Sequence, residues 1–152
     1  LKNYEKKGNI KEITNAELLT TECTVLVPAA LENQINESNV NDIKAKIIVE
    51  GANGPTSMPA DKILAERGVV VVPDVLANAG GVVVSYFEWV QNTQSITWDL
   101  ENVNNELEKI MVNAFEEVYS ISREHDASMR KGAYMVAIKR LVYALKTRGV
   151  FP

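Results

Sequence analysis

Residues 69–92, VVVVPDVLANAGGVVVSYFEWVQN, constrain the fold of this chain more than any other stretch. Four consecutive valines closed by Pro73 predict a short, fully buried strand of the parallel-sheet kind. Pro73 and Asp74 break that strand, and the small residues Ala77-Asn78-Ala79-Gly80-Gly81 read as a turn. Val82, Phe87 and Val90 then recur at roughly helical spacing, with Asn78 placed to cap the helix they define. Strand, small-residue turn and helix N-terminus in that order is how open α/β folds build ligand crevices. Glycine lets a ligand approach the backbone, and the helix end offers unpaired N–H groups. The competing reading is that the glycine pair only shapes a turn.

Two earlier runs repeat the pattern. Residues 24–27 (TVLV) end at Pro28 and lead into Ala29 and Ala30. Residues 46–49 (KIIV) end in Glu50-Gly51-Ala52-Asn53-Gly54-Pro55. Residues 59–67 read as a helix with Pro59 near its first turn and Gly68 just past its end. The chain is thus strand, short crossover, strand, helix, strand, long helix. Runs apolar at every residue, joined by crossovers, predict parallel strands buried on both faces with right-handed connections. All three small-residue turns then occupy strand carboxyl ends along one edge of the sheet, where ligands bind in this architecture. Tight packing of helices on strands is the alternative explanation for so many small residues.

The flanking segments are helical. Residues 1–8 read as the tail of a helix stopped by Gly8. Thr14 and Glu17 match a capping box, although a plain surface turn fits equally. After a connecting loop at residues 92–97, Asp99 is placed to cap a helix carrying Val103, Leu107, Ile110, Met111, Ala114, Phe115 and Val118 on one face. Ser128 caps another, with Tyr134, Ile138, Leu141, Val142 and Leu145 as its apolar face and Gly149 closing it. The expectation is one domain, α/β to about residue 92 and helical over residues 93–152.

Composition removes several function classes. A chain of 152 residues with 46% hydrophobic and 24% charged residues can bury a core. A net charge of −4 supplies no basic footprint for nucleic acid or an anionic membrane surface. No apolar run approaches the roughly 20 residues that span a bilayer, and no signal peptide is evident. The single Cys23 excludes an intrachain disulfide and fits a reducing compartment, the cytoplasm or, alternatively, the mitochondrial matrix. Because the chain opens at Leu1 rather than Met, it is expected to be a piece of something longer.

Few residues stand out as chemical. His125 is the only histidine and lies between Glu124 and Asp126, so a solvated loop position is favoured and a His-based metal cage is excluded. Cys23 lacks a C-x-x-C partner and reads as a packed thiol. The acidic residues stand mostly at helical spacing among lysines, as on a solvated face. Trp89, Trp98 and the Tyr and Met residues of the last two helices read as packing residues. Ser85 differs: it follows Gly80-Gly81 by about one helical turn and shares a face with Val82. Both would point into the crevice, and a bland surface hydroxyl is the alternative for the serine. Asn53 and Asn78 stand in adjacent strand-end turns, and each offers a donor and an acceptor suited to an amide-bearing ligand such as nicotinamide. No G-x-G-x-x-G follows the first strand, and the strand-end turns contain no lysine. By spacing, this is the second half of a dinucleotide-binding fold.

The segments VLVPAALENQI (residues 25–35), KAKIIVEGANGPT (44–56), PDVLANAGGVVVSYFEWVQN (73–92) and AYMVAIKRL (133–141) closely resemble the glutamate dehydrogenases, within the amino-acid dehydrogenases for Glu, Leu, Phe and Val. The resemblance runs from about residue 10 to the end, and the YFEW continuation favours the glutamate enzymes. It implies an α/β fold, the C-terminal half of a Rossmann-type domain followed by C-terminal helices. The activity implied is reversible oxidative deamination of L-glutamate to 2-oxoglutarate and ammonium with NAD or NADP, in a parent homohexamer. Ala29 and Ala30 match alanines that lie along the cofactor. Ala52, Asn53 and Asn78 match residues contacting the nicotinamide ribose and carboxamide. Ser85 matches the serine that binds the substrate's distal carboxylate, with Val82 packing beside it. The family's catalytic lysine and aspartate and its phosphate-binding glycine loop match nothing here.

Three departures from the family pattern touch none of those residues. Thr24 stands where Asp is common, Pro59 comes one residue late, and Gly132 replaces a usual alanine at an expected cost of about 1 kcal/mol in helix propensity. The alternatives are a leucine- or phenylalanine-type dehydrogenase fragment, against which Ser85 speaks, and a non-catalytic dinucleotide-binding or assembly module.

Overall fold

The computed structural model describes residues 11–149; the helix tail expected at residues 1–8 lies outside them. Helix α1 (Asn15–Leu19) is closed by a true capping box. Thr14 Oγ1 accepts from the Glu17 N–H at 3.2 Å, and the Glu17 carboxylate accepts from the Thr14 N–H at 2.7 Å. Strands β1 (Val25–Leu26), β2 (Ile47–Val49) and β3 (Val70–Val72) form one parallel sheet in the order β1-β2-β3. Val25 pairs with Ile47, and Ile47 in turn with Val70. A single 3₁₀ turn at Val40–Asp42 serves the first crossover, and α2 (Met58–Glu66) the second. Ser57 caps α2, and Pro59 still falls in its first turn, where no intrahelical N–H is required. Gly68, at φ +74°, turns the chain from α2 into β3.

The sheet is buried on one face only, contrary to the expectation of two. Leu26 and Ile48 sit in a core with Ile35, Val40, Ile43, Ala60 and Leu64. On the opposite face α5 (Leu100–Glu124) and α6 (Met129–Arg148) pack on Val72, through Leu76, Val118, Met129 and Val136. Val25 and Val70, in register on that same face, remain 47% and 48% exposed. Uniform hydrophobicity therefore marks a strand here, without marking what covers it.

The segment after β3 also differs from expectation. Residues Asp74–Ala77 form a helical turn, α3, and Asn78 is its C-cap. Helix α4 (Gly80–Gln94) starts behind Ala79 with no side-chain cap, so Gly80 and Gly81 are its first residues and not a turn. Asn78 is thus freed from capping. At the other end α4 runs on to Gln94, where Ser95 at φ +55° closes it, and the connection to α5 begins there. Asp99 and Ser128 cap α5 and α6 as their sequence context predicts.

The inward face of α6 is Met129, Gly132 and Val136, whereas Tyr134, Ile138, Leu141, Val142 and Leu145 are all exposed. A Cβ on Gly132 would lie 2.9 Å from the Val118 carbonyl oxygen and 3.0 Å from Ser122 Cβ. The two helices cross where there is no side chain, which no hydrophobicity count can anticipate. Of the tryptophans, Trp98 packs on Phe87 with ring centroids 5.3 Å apart, while Trp89 stays largely exposed beside Tyr86. Cys23 is half-buried against the core. No described helix is long and apolar enough to cross a membrane.

Helix propensity alone makes Gly132→Ala stabilising by about 1 kcal/mol. The backbone contact reverses the sign: overpacking of this kind costs about 1–3 kcal/mol. The urea midpoint of Gly132→Ala is expected to fall below that of the parent, and a rise would show that α5 and α6 part easily.

Candidate functional site

The three strand ends are bound to one another through backbone N–H groups. The Ala52 N–H donates to the Pro28 carbonyl at 2.9 Å, joining the turn after β1 to the turn after β2. Gly51 packs against Ala29, and a Cβ there would stand 3.0 Å from the alanine's own. Gly54, at φ +55°, adopts a conformation that favours glycine and lets its N–H donate to Asp74 Oδ2 at 2.8 Å, joining the second turn to the third.

Along this edge lies an open cleft of about 730 Å³. Ala30, Ala52, Asn53, Asn78, Val82 and Ser85 all line it, together with Leu31, Glu32, Gly51 and Gly81. Ala29 does not; it supports Gly51 from the side. The Asn78 amide donates to Asn53 Oδ1 at 2.6 Å and to the Gly51 carbonyl at 3.4 Å, so the two asparagines form one polar unit. Ser85 Oγ donates to the Gly81 carbonyl at 3.0 Å, and rotation about its Cα–Cβ bond can hand that single proton to another acceptor. Val82 is 75% exposed on the same helix face. A larger depression of about 1030 Å³ opens at the amino ends of the strands, among Lys44, Lys46, Arg67 and Val70. Its arginine is committed to the carbonyls of Val40 and Ile43, and strand amino ends are not where this architecture binds ligands.

Sequence reasoning missed the strongest electrostatic feature, a guanidinium among three carboxylates. Arg130 Nη2 donates to Glu50 Oε1 at 2.7 Å, to Glu50 Oε2 at 2.8 Å and to Asp61 Oδ1 at 3.3 Å. Its Nη1 donates to Asp74 Oδ1 at 3.2 Å. Glu50 is completely buried, so the expectation that acidic residues form a solvated face fails for it. Its Oε2 also accepts from the Asp74 N–H at 2.8 Å. Burial opposes the charge of Arg130, but hydrogen bonds to Glu50 and Asp61 and the fields of those carboxylates outweigh it and raise its pKa. Burial likewise pushes the Asp74 carboxyl up. Hydrogen bonds from the Gly54 and Val75 N–H groups, with the nearby Arg130, prevail and hold it below its ordinary value. One signal was available: Arg130 is the second residue of α6, where the helix dipole disfavours a cation unless carboxylates meet it.

Asp74 therefore contributes stability that is fully present above its unfolded pKa of about 3.9 and is lost as pH falls through the lower folded value. Unfolding free energy measured from pH 6 downward is expected to decline below about pH 4, and to decline less in Asp74→Asn. Parallel curves for the two proteins would show that Asp74 is not linked to folding.

The sequence profile of the Glutamate/Leucine/Phenylalanine/Valine dehydrogenases matches residues 1–149. A glutamate dehydrogenase of Thermotoga maritima is 56% identical over 142 residues, covering 93% of this chain and 34% of that protein. A cryptic catabolic NAD-specific glutamate dehydrogenase of Bacillus subtilis is 53% identical, over 90% of this chain and 32% of that protein. Among solved structures, the hetero-hexameric glutamate dehydrogenase of Thermus thermophilus in a Leu-bound form superposes with a TM-score of 0.87 at 31% identity, over 95% of this chain and 35% of that one. The glutamate dehydrogenase of Peptoniphilus asaccharolyticus gives 0.78 at 44% identity, over 82% and 32%. The chain spans about a third of the length of the curated relatives it matches.

Proposed function

Because the chain belongs to the glutamate/leucine/phenylalanine/valine dehydrogenase family, we propose that it forms one wall of the active cleft in an enzyme interconverting L-glutamate with 2-oxoglutarate and ammonium. The observation that carries this reading is the convergence of Ala30, Ala52, Asn53, Asn78, Val82 and Ser85 on a single cleft at the strand carboxyl ends. The family implies NAD or NADP, and the donor set fits it. The Asn53–Asn78 pair presents amide donors and acceptors to a ribose and carboxamide, and Ala30 and Ala52 admit a flat ring close to the backbone. When bound, the nicotinamide would supply the hydride acceptor and donor.

The chain's own residues bind and orient. Ser85 would turn its hydroxyl proton from the Gly81 carbonyl to donate to the substrate's distal carboxylate, and Val82 would exclude water beside it, so that the reacting carbon faces the ring. A carboxylate-bearing side chain calls for such a polar partner, which separates the glutamate reading from the leucine and phenylalanine relatives. No residue of this chain is assigned proton transfer. The family's lysine and aspartate belong to a domain this sequence does not match, so the 152-residue chain alone is expected to show no turnover. The parent enzyme would be a homohexamer in the cytoplasm.

The test is a steady-state assay of this chain extended by its native upstream coding sequence. It follows oxidation of reduced cofactor with ammonium and either 2-oxoglutarate or 4-methyl-2-oxopentanoate. Preference for 2-oxoglutarate is expected, with kcat/KM falling about 10- to 100-fold in Ser85→Ala, the loss of one hydrogen bond to a charged group. Preference for the branched acid would move the protein to its leucine-using relatives. A folded, inactive product would leave a binding module.

A further inference from the structure

Asn53 and Asn78 sit on separate short segments, 25 residues apart in sequence. Asn53 belongs to the Glu50–Gly54 turn, and Asn78 ends α3, a helix of one turn. The first is tied toward β1, by the Ala52 N–H to the Pro28 carbonyl and the Asn33 N–H to the Gly54 carbonyl, both at 2.9 Å, whereas the two asparagines, on different segments, meet at 2.6 Å. Something outside them must set their separation.

The entry to the first segment is Glu50, and the entry to the second is Asp74. Arg130 binds both, at 2.7 Å to Glu50 Oε1 and 3.2 Å to Asp74 Oδ1. The same carboxylates then reach across. Glu50 Oε2 accepts from the Asp74 N–H, and Asp74 Oδ2 accepts from the Gly54 N–H, both at 2.8 Å. The first segment is thus gripped at its start and its end, and the second at its start. Each asparagine is within four residues of a gripped position. Arg130 itself cannot drift, because it lies two residues before Gly132, where α6 touches the α5 backbone. Only 21% of its side chain is exposed, and the structure places it among the carboxylates and not among the residues lining the cleft.

We propose that Arg130 is a positioning residue: clasping Glu50 and Asp74, it sets the two strand-end turns at the spacing that presents the Asn53–Asn78 pair to the nicotinamide end of a dinucleotide. The clasp rests on the preceding reading of what the cleft holds. The planar fork suits this, because Nη2 meets Glu50 while Nη1 meets Asp74 on a different turn, whereas an ammonium carries its three donors on a single atom. Arg130→Lys should therefore keep the charge and lose the geometry.

The first measurement is made on the 152-residue chain, by NMR of the Asn53 and Asn78 side-chain amides, assigned by their disappearance in Asn53→Asp and Asn78→Asp. The Asn78 amide is expected to exchange slowly in the parent and at least about tenfold faster in Arg130→Lys. Arg140→Met, which breaks the exposed Arg140–Glu117 pair on the outside of the helices, serves as the control and should change nothing. If Arg130→Lys does not fold, Asp74→Asn carries the same test, since it keeps the shape and removes one clasped charge. Amide exchange unchanged in a folded clasp variant overturns the proposal.

The second measurement uses the upstream-extended enzyme. Arg130→Lys should raise KM for the dinucleotide at least about tenfold and move KM for 2-oxoglutarate less, with Arg140→Met again unchanged. Equal KM values for parent and Arg130→Lys would overturn the clasp. An inactive parent enzyme would instead sink the dehydrogenase reading, and the amide result would then decide the clasp alone.

Discussion

A completely buried carboxylate at the end of a central strand must have a cation within reach, and the placement of Glu50 makes the rest of this structure depend on Arg130. Leaving a buried charge without its partner costs about 3–5 kcal/mol, a large share of the stability of a domain this size. The partner comes from the last helix, 80 residues further on. Helix α6 must therefore return to the sheet, lie against α5, and begin at the right height for its second residue to reach the strand ends. Gly132 permits that close crossing, and Ser128 fixes where the helix starts. The ion cluster and the helix packing impose the same geometry from two directions.

The same arrangement explains the asymmetry of the sheet. The core on one face is filled by side chains from the crossover segments and α2, all close in sequence to the strands they cover. The other face receives only the end of α5–α6 nearest the clasp, so Val72 is covered while Val25 and Val70 stand open. The apolar row on the outer side of α6 is left open as well. On that face of the sheet the packing falls on Val72, near the strand carboxyl ends where the small-residue turns converge and the candidate site lies.

Much of this was legible from residues alone. The three apolar runs, the small residues that follow them, the caps at Thr14, Asp99 and Ser128, and the placement of Asn53, Asn78, Val82 and Ser85 on one edge all follow from patterns within a few residues. The errors share a cause. Asn78 looked like a cap because it precedes a helix, yet a one-turn helix intervenes and its amide turns to Asn53. The outer row of α6 looked like a core because it is apolar, yet the inward face is built on a glycine. Glu50 looked solvated because most of its kind are.

Turn chemistry, capping and hydrophobic periodicity act over at most a turn or two of chain, so the sequence by itself determined where strands and helices form and that their glycine- and asparagine-bearing ends share an edge. Which helix face turns inward, which sheet face stays open, and which cation neutralises Glu50 were decided only by the tertiary structure. Each is a choice between residues tens of positions apart, made by close packing and by the penalty on an unpaired buried charge. The local marks they leave, a cation in the first turn of α6 and a glycine where it crosses α5, do not name the partner.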